Sequence, residues 1–227
     1  MPERIRSLWQ GLRLEFPLLV GVFPFGVIYG VAALRAGLTP ALAQSMSSIV
    51  FAGSAQFLTA QLIHTAASPV VIVATIAIVN LRHMLYSASM APHLGHLPMR
   101  WKGLLAYLLT DEAYAAVIGH YESGGATPTS HWLFLGAGAS LWLTWQVSTA
   151  LGIFLGTTIP ESWPLDFALP LTFIAMVVPM LRDRPTVAAA LSAGIVALLG
   201  SSLPYNLGLV LAALVGIGIG MVVEGRR

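Results

Sequence analysis

Residues 69–91 read PVVIVATIAIVNLRHMLYSASMA, and the only formal charge among them is Arg82. A helix crossing a bilayer needs roughly 20 predominantly apolar residues, so this stretch reads as a span. The same sparseness extends outward. Arg82 is the only formally charged residue from Ala36 to Met99, Glu122 is the only one from Ala113 to Pro160, and there is none from Pro185 to Val223.

Composition agrees. Hydrophobic residues make up 57% of the 227 and charged residues 9%, where soluble domains carry about 25% charged. In water such a chain would expose large apolar patches and aggregate. The mean hydropathy of +0.82 points the same way. Cys is absent, which excludes disulfides, Cys-ligated zinc and iron–sulfur clusters. No metal or cofactor motif stands out, and His93 and His96 are separated by Gly95 and preceded by Pro92, a poor metal frame. The basic residues are scattered singly at a net charge of +2, which argues against nucleic-acid binding.

The expected fold is all-α: a polytopic membrane helical bundle of about 6–8 segments, some broken or re-entrant. One integral membrane domain is expected over 1–227, with 1–16 as a cytoplasmic N-terminal segment. Segments are expected at 17–34, 41–66, 69–91, 103–120, 131–156, 166–181, 186–200 and 206–223. Arg4, Arg6 and Arg13 before an apolar run resemble the start of a signal peptide. That run is long and contains Pro24, so a retained span is expected.

Lys and Arg in short loops mark the cytoplasmic side. Arg4, Arg6 and Arg13 put the N-terminus there, Arg226 and Arg227 the C-terminus, and Arg182 and Arg184 a loop. The stretch with Glu161 and Asp166 suits the outside. Eight simple spans would leave Arg100 and Lys102 outside, against the rule. The conflict vanishes if the second and fifth segments dip in and return without crossing.

Three constellations carry chemistry. In Asn80-Leu81-Arg82-His83 with Tyr86 and Ser87, Asn80, His83 and Ser87 share one helix face, and Arg82, Tyr86 and Ser89 an adjacent one. An Arg at mid-span costs roughly 2.5–3.5 kcal/mol on insertion scales. It either snorkels or locks helices through an ion pair, or it binds a substrate carboxylate or takes part in proton coupling. In Thr110-Asp111-Glu112, burial and like-charge repulsion oppose double ionisation, which suits a proton carrier; an interfacial position is the alternative. Asp111 or Glu112 is the expected partner of Arg82. In Ser47-Ser48-Ile49-Val50-Phe51-Ala52-Gly53-Ser54-Ala55-Gln56-Phe57, small residues permit close helix packing. If Gly53 breaks the helix, freed N–H groups could receive an anionic group. Pro24-Phe25-Gly26 is expected as a second break, with a freed carbonyl one turn back. Trp142 and Trp145 are expected to face lipid, with lining of a hydrophobic pocket as the alternative, and Trp132 and Trp163 to anchor at interfaces.

These motifs, in order over roughly residues 16–118, resemble the AzlC family. The carriers of the resemblance are Pro24-Phe25-Gly26, Gly30, Ala36-Gly37-Leu38, Val50 to Phe57, Asn80 to His83 with Tyr86-Ser87, and Thr110 to Glu112. The resemblance implies the large subunit of a branched-chain amino acid exporter of bacterial cytoplasmic membranes, working with a small AzlD-type membrane subunit.

The combined expectation is a secondary transporter, not an enzyme, exporting Leu, Ile, Val or similar neutral amino acids, with proton antiport as the expected coupling. Substrate-binding candidates are Pro24, Phe25, Gly26, Phe51, Gly53, Ser54, Gln56, Asn80 and Arg82. Phe57 joins Phe25 and Phe51 as lining for an aliphatic side chain. Proton-coupling candidates are His83, Asp111 and Glu112. The alternative is a passive channel or pore for small solutes.

Overall fold

The computed structural model describes residues 2–123, 127–158, 181, 183–201, 203 and 207–225. All nine elements among them are α-helices. The chain divides into two compact units, residues 1–163 and 164–227. The expected segment 166–181, and Glu161, Trp163, Asp166, Arg182, Arg226 and Arg227, lie outside the described residues.

The first unit holds α1 (Glu3–Arg35), α2 (Pro40–Ile49), α3 (Gly53–His64), α4 (Pro69–Leu94), α5 (Met99–Tyr107), α6 (Asp111–Glu122) and α7 (Ser130–Thr158). Local chemistry sets several starts. Thr39, Ser68 and Thr110 are N-caps whose hydroxyls accept from Leu42 N, Val71 N and Ala113 N at 3.3, 3.4 and 3.3 Å. Pro follows the cap in α2 and α4, where its missing N–H costs nothing. In α6 the cap is followed by Asp111 and Glu112, acids that complement the positive helix end.

The frame of this unit is α1 against α7, and the two run parallel. Gly11 abuts Leu133 and Ala137, Gly26 abuts Ser148, Gly30 abuts Thr149 and Ile153, and Gly156 abuts Val31 and Leu34. Small residues four apart, Gly26 and Gly30 on α1 and Ser148, Gly152 and Gly156 on α7, let the backbones touch. This contact explains a correction. Pro24-Phe25-Gly26 does not break the helix; α1 runs uninterrupted through Pro17 and Pro24. Gly26 and Gly30 pack directly on α7 just past Pro24, so the helix continues against its neighbour. The helix also begins at Glu3, inside the stretch read above as an N-terminal segment.

Between these poles two helical hairpins enter from opposite ends. α2 descends from the Arg35 end, with Tyr29 donating to the Ala43 carbonyl at 3.1 Å. The chain reverses at Val50-Phe51-Ala52, and α3 climbs back parallel to α1. Gly53 lies at the level of Phe25, and the ring of Phe57 meets those of Phe25 and Tyr29. The other hairpin enters from the Glu3 end. Trp101 of α5 meets Trp132 of α7 at 5.0 Å, and the Arg4 guanidinium lies over Trp132 at 6.0 Å. α5 rises until Leu108 abuts Gly138, the chain turns at residues 108–110, and α6 returns. On the way back Tyr114 stacks on Tyr86 at 4.6 Å and Tyr121 meets His93 at 5.2 Å. α4, with 26 residues and ~39 Å of length, links the outer end of the first hairpin to the outer end of the second.

The expected return of the second segment is therefore present. The fifth segment does not return: α7 is one helix of 29 residues, held along its length by α1. The fourth segment breaks instead, because Thr110-Asp111-Glu112 starts a new helix. Loop residues 95–98 lie at the same end as Arg4 without an additional crossing. The expected lipid-facing position of Trp145 is also corrected: it is 4% exposed, stacked on Tyr29 at 5.9 Å.

In the second unit, α8 (Arg184–Leu199) and α9 (Leu207–Glu224) form an antiparallel hairpin. Gly208 abuts Gly200, and Gly216 and Gly220 abut Ala193 and Ala189. Asp183 opens α8 with a reciprocal capping box to Thr186.

Two expectations follow. Single cysteines at Glu3 and Met99 in this Cys-free chain will react with an impermeant maleimide from one side of the membrane, and one at Thr65 from the other. Gly136→Val, which drives a side chain into the Leu8 carbonyl, will lower stability by about 1–3 kcal/mol. Gly103→Ala, inside α5 and in open space, will raise stability by about 0.5–1 kcal/mol, read from thermal unfolding of the purified protein.

Candidate functional site

The two hairpin tips meet at the middle of α4, and Arg82 joins them. Its Nη1 donates to Asp111 Oδ2 at 2.6 Å, at the start of α6. Its Nη2 donates to Ser54 Oγ, at the start of α3. The ion pair is partly shielded, with side chains 27% and 36% exposed. A second link runs between the tips: Trp142 Nε1 donates to Tyr107 Oη at 2.6 Å, and Tyr107 Oη donates to the Ser48 carbonyl. Phe51 and Tyr107 rings lie 5.9 Å apart.

The tips carry opposite chemistry. At α3 the N-cap residue, Ala52, offers no side-chain cap, so the first-turn N–H groups face the junction unserved by a side chain. Arg82 and the Ser54 hydroxyl lie beside them. At α6 the cap is filled by Thr110 and the first turn is acidic. One tip thus concentrates positive potential and donors, the other negative charge. Phe51 adopts φ 42° at the turn, a left-handed conformation that bulky residues rarely hold. Such strain persists only where surroundings impose it.

Behind the α3 tip is an aromatic cluster. Phe25, Tyr29, Phe57 and Trp145 are 5%, 0%, 1% and 4% exposed. Phe25 and Phe57 rings are 4.5 Å apart, and Phe25 and Trp145 rings 5.8 Å. A Cβ on Gly53 would stand 3.0 Å from Trp145 and 3.2 Å from Phe25, so a larger residue would push the tip off the cluster. Gln56, fully buried, accepts from Trp145 Nε1 at 3.1 Å. Gln146 of α7 ties down α2, accepting from Gln44 Nε2 and Ser48 Oγ at 2.8 Å each.

Phe25, Gly53, Ser54, Gln56, Arg82 and Asp111 thus converge on the junction, with Gly26 behind it against Ser148. Phe51 sits on the α2–α3 turn itself. Glu112 follows Asp111 and lies within electrostatic range of Arg82. His83 is not brought into the ion pair: its Nδ1 lies 3.2 Å from the Asn80 carbonyl. Asn80 leaves a buried Oδ1 without a hydrogen-bond partner. Pro24 sits inside continuous α1 rather than at a break. The sequence reading missed the polar ties through Gln44, Tyr107 and Gln146, and it missed Glu15, which is fully buried. Glu15 was obscured because the apolar run seemed to begin after it. The α6 break was legible in Thr110-Asp111-Glu112 as a capping signature.

A family model described as AzlC protein matches residues 17–159. The chain belongs to the AzlC family. The match covers both hairpins, α4, all of α7 and α1 from residue 17 onward. Among relatives, the inner membrane protein YgaZ of Escherichia coli is 26% identical over 184 residues, 78% of this chain and 75% of its own length. An uncharacterized membrane protein of Archaeoglobus fulgidus is 29% identical over 212 residues, 91% of each chain. The branched-chain amino acid transport protein AzlC of Bacillus subtilis is 25% identical over 175 residues, 75% of this chain and 68% of its own. No solved structure gives a significant match. With these relatives, and with α1 and α4 long and apolar enough to cross a bilayer, this AzlC-family chain is a membrane protein of the transport class.

Arg82 and Asp111 should behave as one unit in stability. Removing either side chain leaves the other charge unpaired at the junction. Arg82→Ala with Asp111→Ala is expected to be more stable than the sum of the single changes by about 0.5–3 kcal/mol, read from thermal unfolding of all four proteins in detergent.

Proposed function

We propose that this protein exports branched-chain or similar neutral amino acids across the bacterial cytoplasmic membrane by proton antiport. The observation that carries the reading is the ion pair of Arg82 with Asp111, closed between two hairpin tips of opposite polarity. A neutral amino acid is a zwitterion and is complementary to that pair once it opens. The carboxylate would meet Arg82, Ser54 and the uncapped N–H groups of α3. The ammonium would meet Asp111. A neutral ligand inserted into a neutral pair adds no net charge to the low-dielectric interior, where an uncompensated charge is costly.

The same geometry supplies the coupling. A proton taken up by the Asp111–Glu112 couple cancels the charge that holds the ammonium, so proton and substrate compete, as antiport requires. Phe25, Phe51 and Phe57 would contact the aliphatic side chain, and Gln56 and Asn80 would orient the polar end. Discontinuous helices with half-helix ends at the membrane middle are a recurring transporter device. The substrate class also draws on the name of the Bacillus subtilis relative.

The protein would be multi-pass, with the Arg4 end and the C-terminus in the cytoplasm. A small AzlD-type subunit would be its partner. A passive channel would lack the substrate competition described here.

In proteoliposomes, labelled valine is expected to enter by counterflow against trapped valine, and to accumulate when the lumen is made acidic. Asp111→Asn is expected to reduce both by roughly a hundredfold. Valine flux that neither saturates nor responds to trapped valine would identify a pore.

A further inference from the structure

Basic and aromatic side chains meet at the end of the first unit where α1, α5 and α7 begin, away from the Arg82 junction. Arg4 stands in the first turn of α1, Arg100 and Trp101 in that of α5, and His131 and Trp132 in that of α7. With Leu104 they line a cavity of about 480 Å³, within the roughly 300–1,000 Å³ usual for small-ligand sites. The rings form its floor. Trp101 meets Trp132 edge to face at 5.0 Å and His131 at 4.7 Å. The Arg4 guanidinium lies 6.0 Å from the centre of the Trp132 ring, within reach of cation–π attraction.

The charge of this cavity is one-sided. Arg4 and Arg100 are exposed, and neither forms an ion pair with a carboxylate among the described residues. Glu3, next to Arg4 in the chain, is exposed and does not pair with it. Like charges gathered from separate helices repel, and an anion between them removes that cost. α1 and α5 start after Pro2 and Pro98 without a side-chain cap, so their positive ends add to the field. Guanidinium forks match the oxygens of a phosphate.

Position selects the source of that phosphate. α1 is long and apolar enough to cross a bilayer and starts at this cavity, which puts the opening at headgroup depth. Tryptophan rings favour that depth, and basic pockets between membrane helices receive anionic headgroups there. Leu104, 42% exposed, gives the cavity an apolar wall. Glycerol and the first acyl carbons can use that wall and the two indoles, whereas a free phosphate cannot.

We infer that this cavity binds the headgroup of an anionic phospholipid, with its phosphate between Arg4 and Arg100 and its glycerol against Trp101, Trp132 and Leu104. The bound lipid bridges the starts of α1, α5 and α7 and so ties the second hairpin to the α1–α7 frame. The site does not depend on which solute the protein moves.

Equilibrium binding to the purified full chain in detergent, read by native mass spectrometry, tests the site. Phosphatidylglycerol is expected to bind saturably, and phosphatidylcholine, which has no net charge, roughly tenfold more weakly or less. Equal binding of the two overturns the proposal. Arg4→Gln combined with Arg100→Gln is expected to weaken phosphatidylglycerol binding roughly thirtyfold. Arg6→Gln removes a charge at the same end that does not line this cavity, and is expected to leave binding unchanged. No loss in the double variant, or a comparable loss per charge in Arg6→Gln, overturns the proposal, because binding would then follow overall charge or another surface. Displacement of the lipid by equimolar inorganic phosphate would make free phosphate the occupant and overturn the lipid assignment. If the double variant cannot be purified, Arg100→Gln takes its place: a roughly fivefold loss supports the site, and no loss overturns it.

Discussion

A guanidinium at the middle of a long apolar helix has to be satisfied by protein, and this requirement organises the first unit. Arg82 sits near the centre of α4, far from either end of the helix. Its partners come from two helices that start at the same depth. Each start needs a chain that enters the membrane zone and turns back. Irregular backbone at that depth is tolerated only inside protein, so both turns are sheltered between α1, α4 and α7.

The arrangement is also electrostatically selective. Two helix N-termini point toward one cation, which by itself is unfavourable. Asp111 and Glu112 offset this at the α6 tip, while the α3 tip has only Ser54 and exposed donors. The imbalance between the tips gives the junction a direction, positive toward α3 and negative toward α6. A symmetric pair of acidic tips would bind cations, and a symmetric pair of bare tips would bind anions. One of each suits a molecule that carries both signs.

Rigidity and mobility are divided accordingly. α1 and α7 touch backbone to backbone through glycines, a contact with little room for sliding. The hairpins are held by fewer, polar ties: Gln146 to α2, Tyr107 to Ser48, Arg82 to Ser54 and Asp111. Hydrogen bonds between side chains can exchange partners at lower cost than interlocked backbones can separate. Movement of one hairpin against the fixed pair would open the junction to one side, as alternating access requires.

Apolar runs and their few charges determined the all-α membrane character, because lipid admits little else. Capping residues at Thr39, Ser68 and Thr110 fixed helix starts, since those bonds are local. The Gly53 break and the pairing of Arg82 with an acid were legible too: a half-buried cation has few possible partners in so uncharged a chain. Tertiary structure decided the rest. Pro24 suggests a break by itself, yet α1 runs on as one helix packed on α7. The fourth segment carries its break in Thr110-Asp111-Glu112, whereas the fifth is held as one continuous helix by its packing on α1. Glu15 reads as part of a charged N-terminal segment until the packing of α1 buries it. Burial and contact between distant segments arise from the packed whole, and no local pattern encodes them.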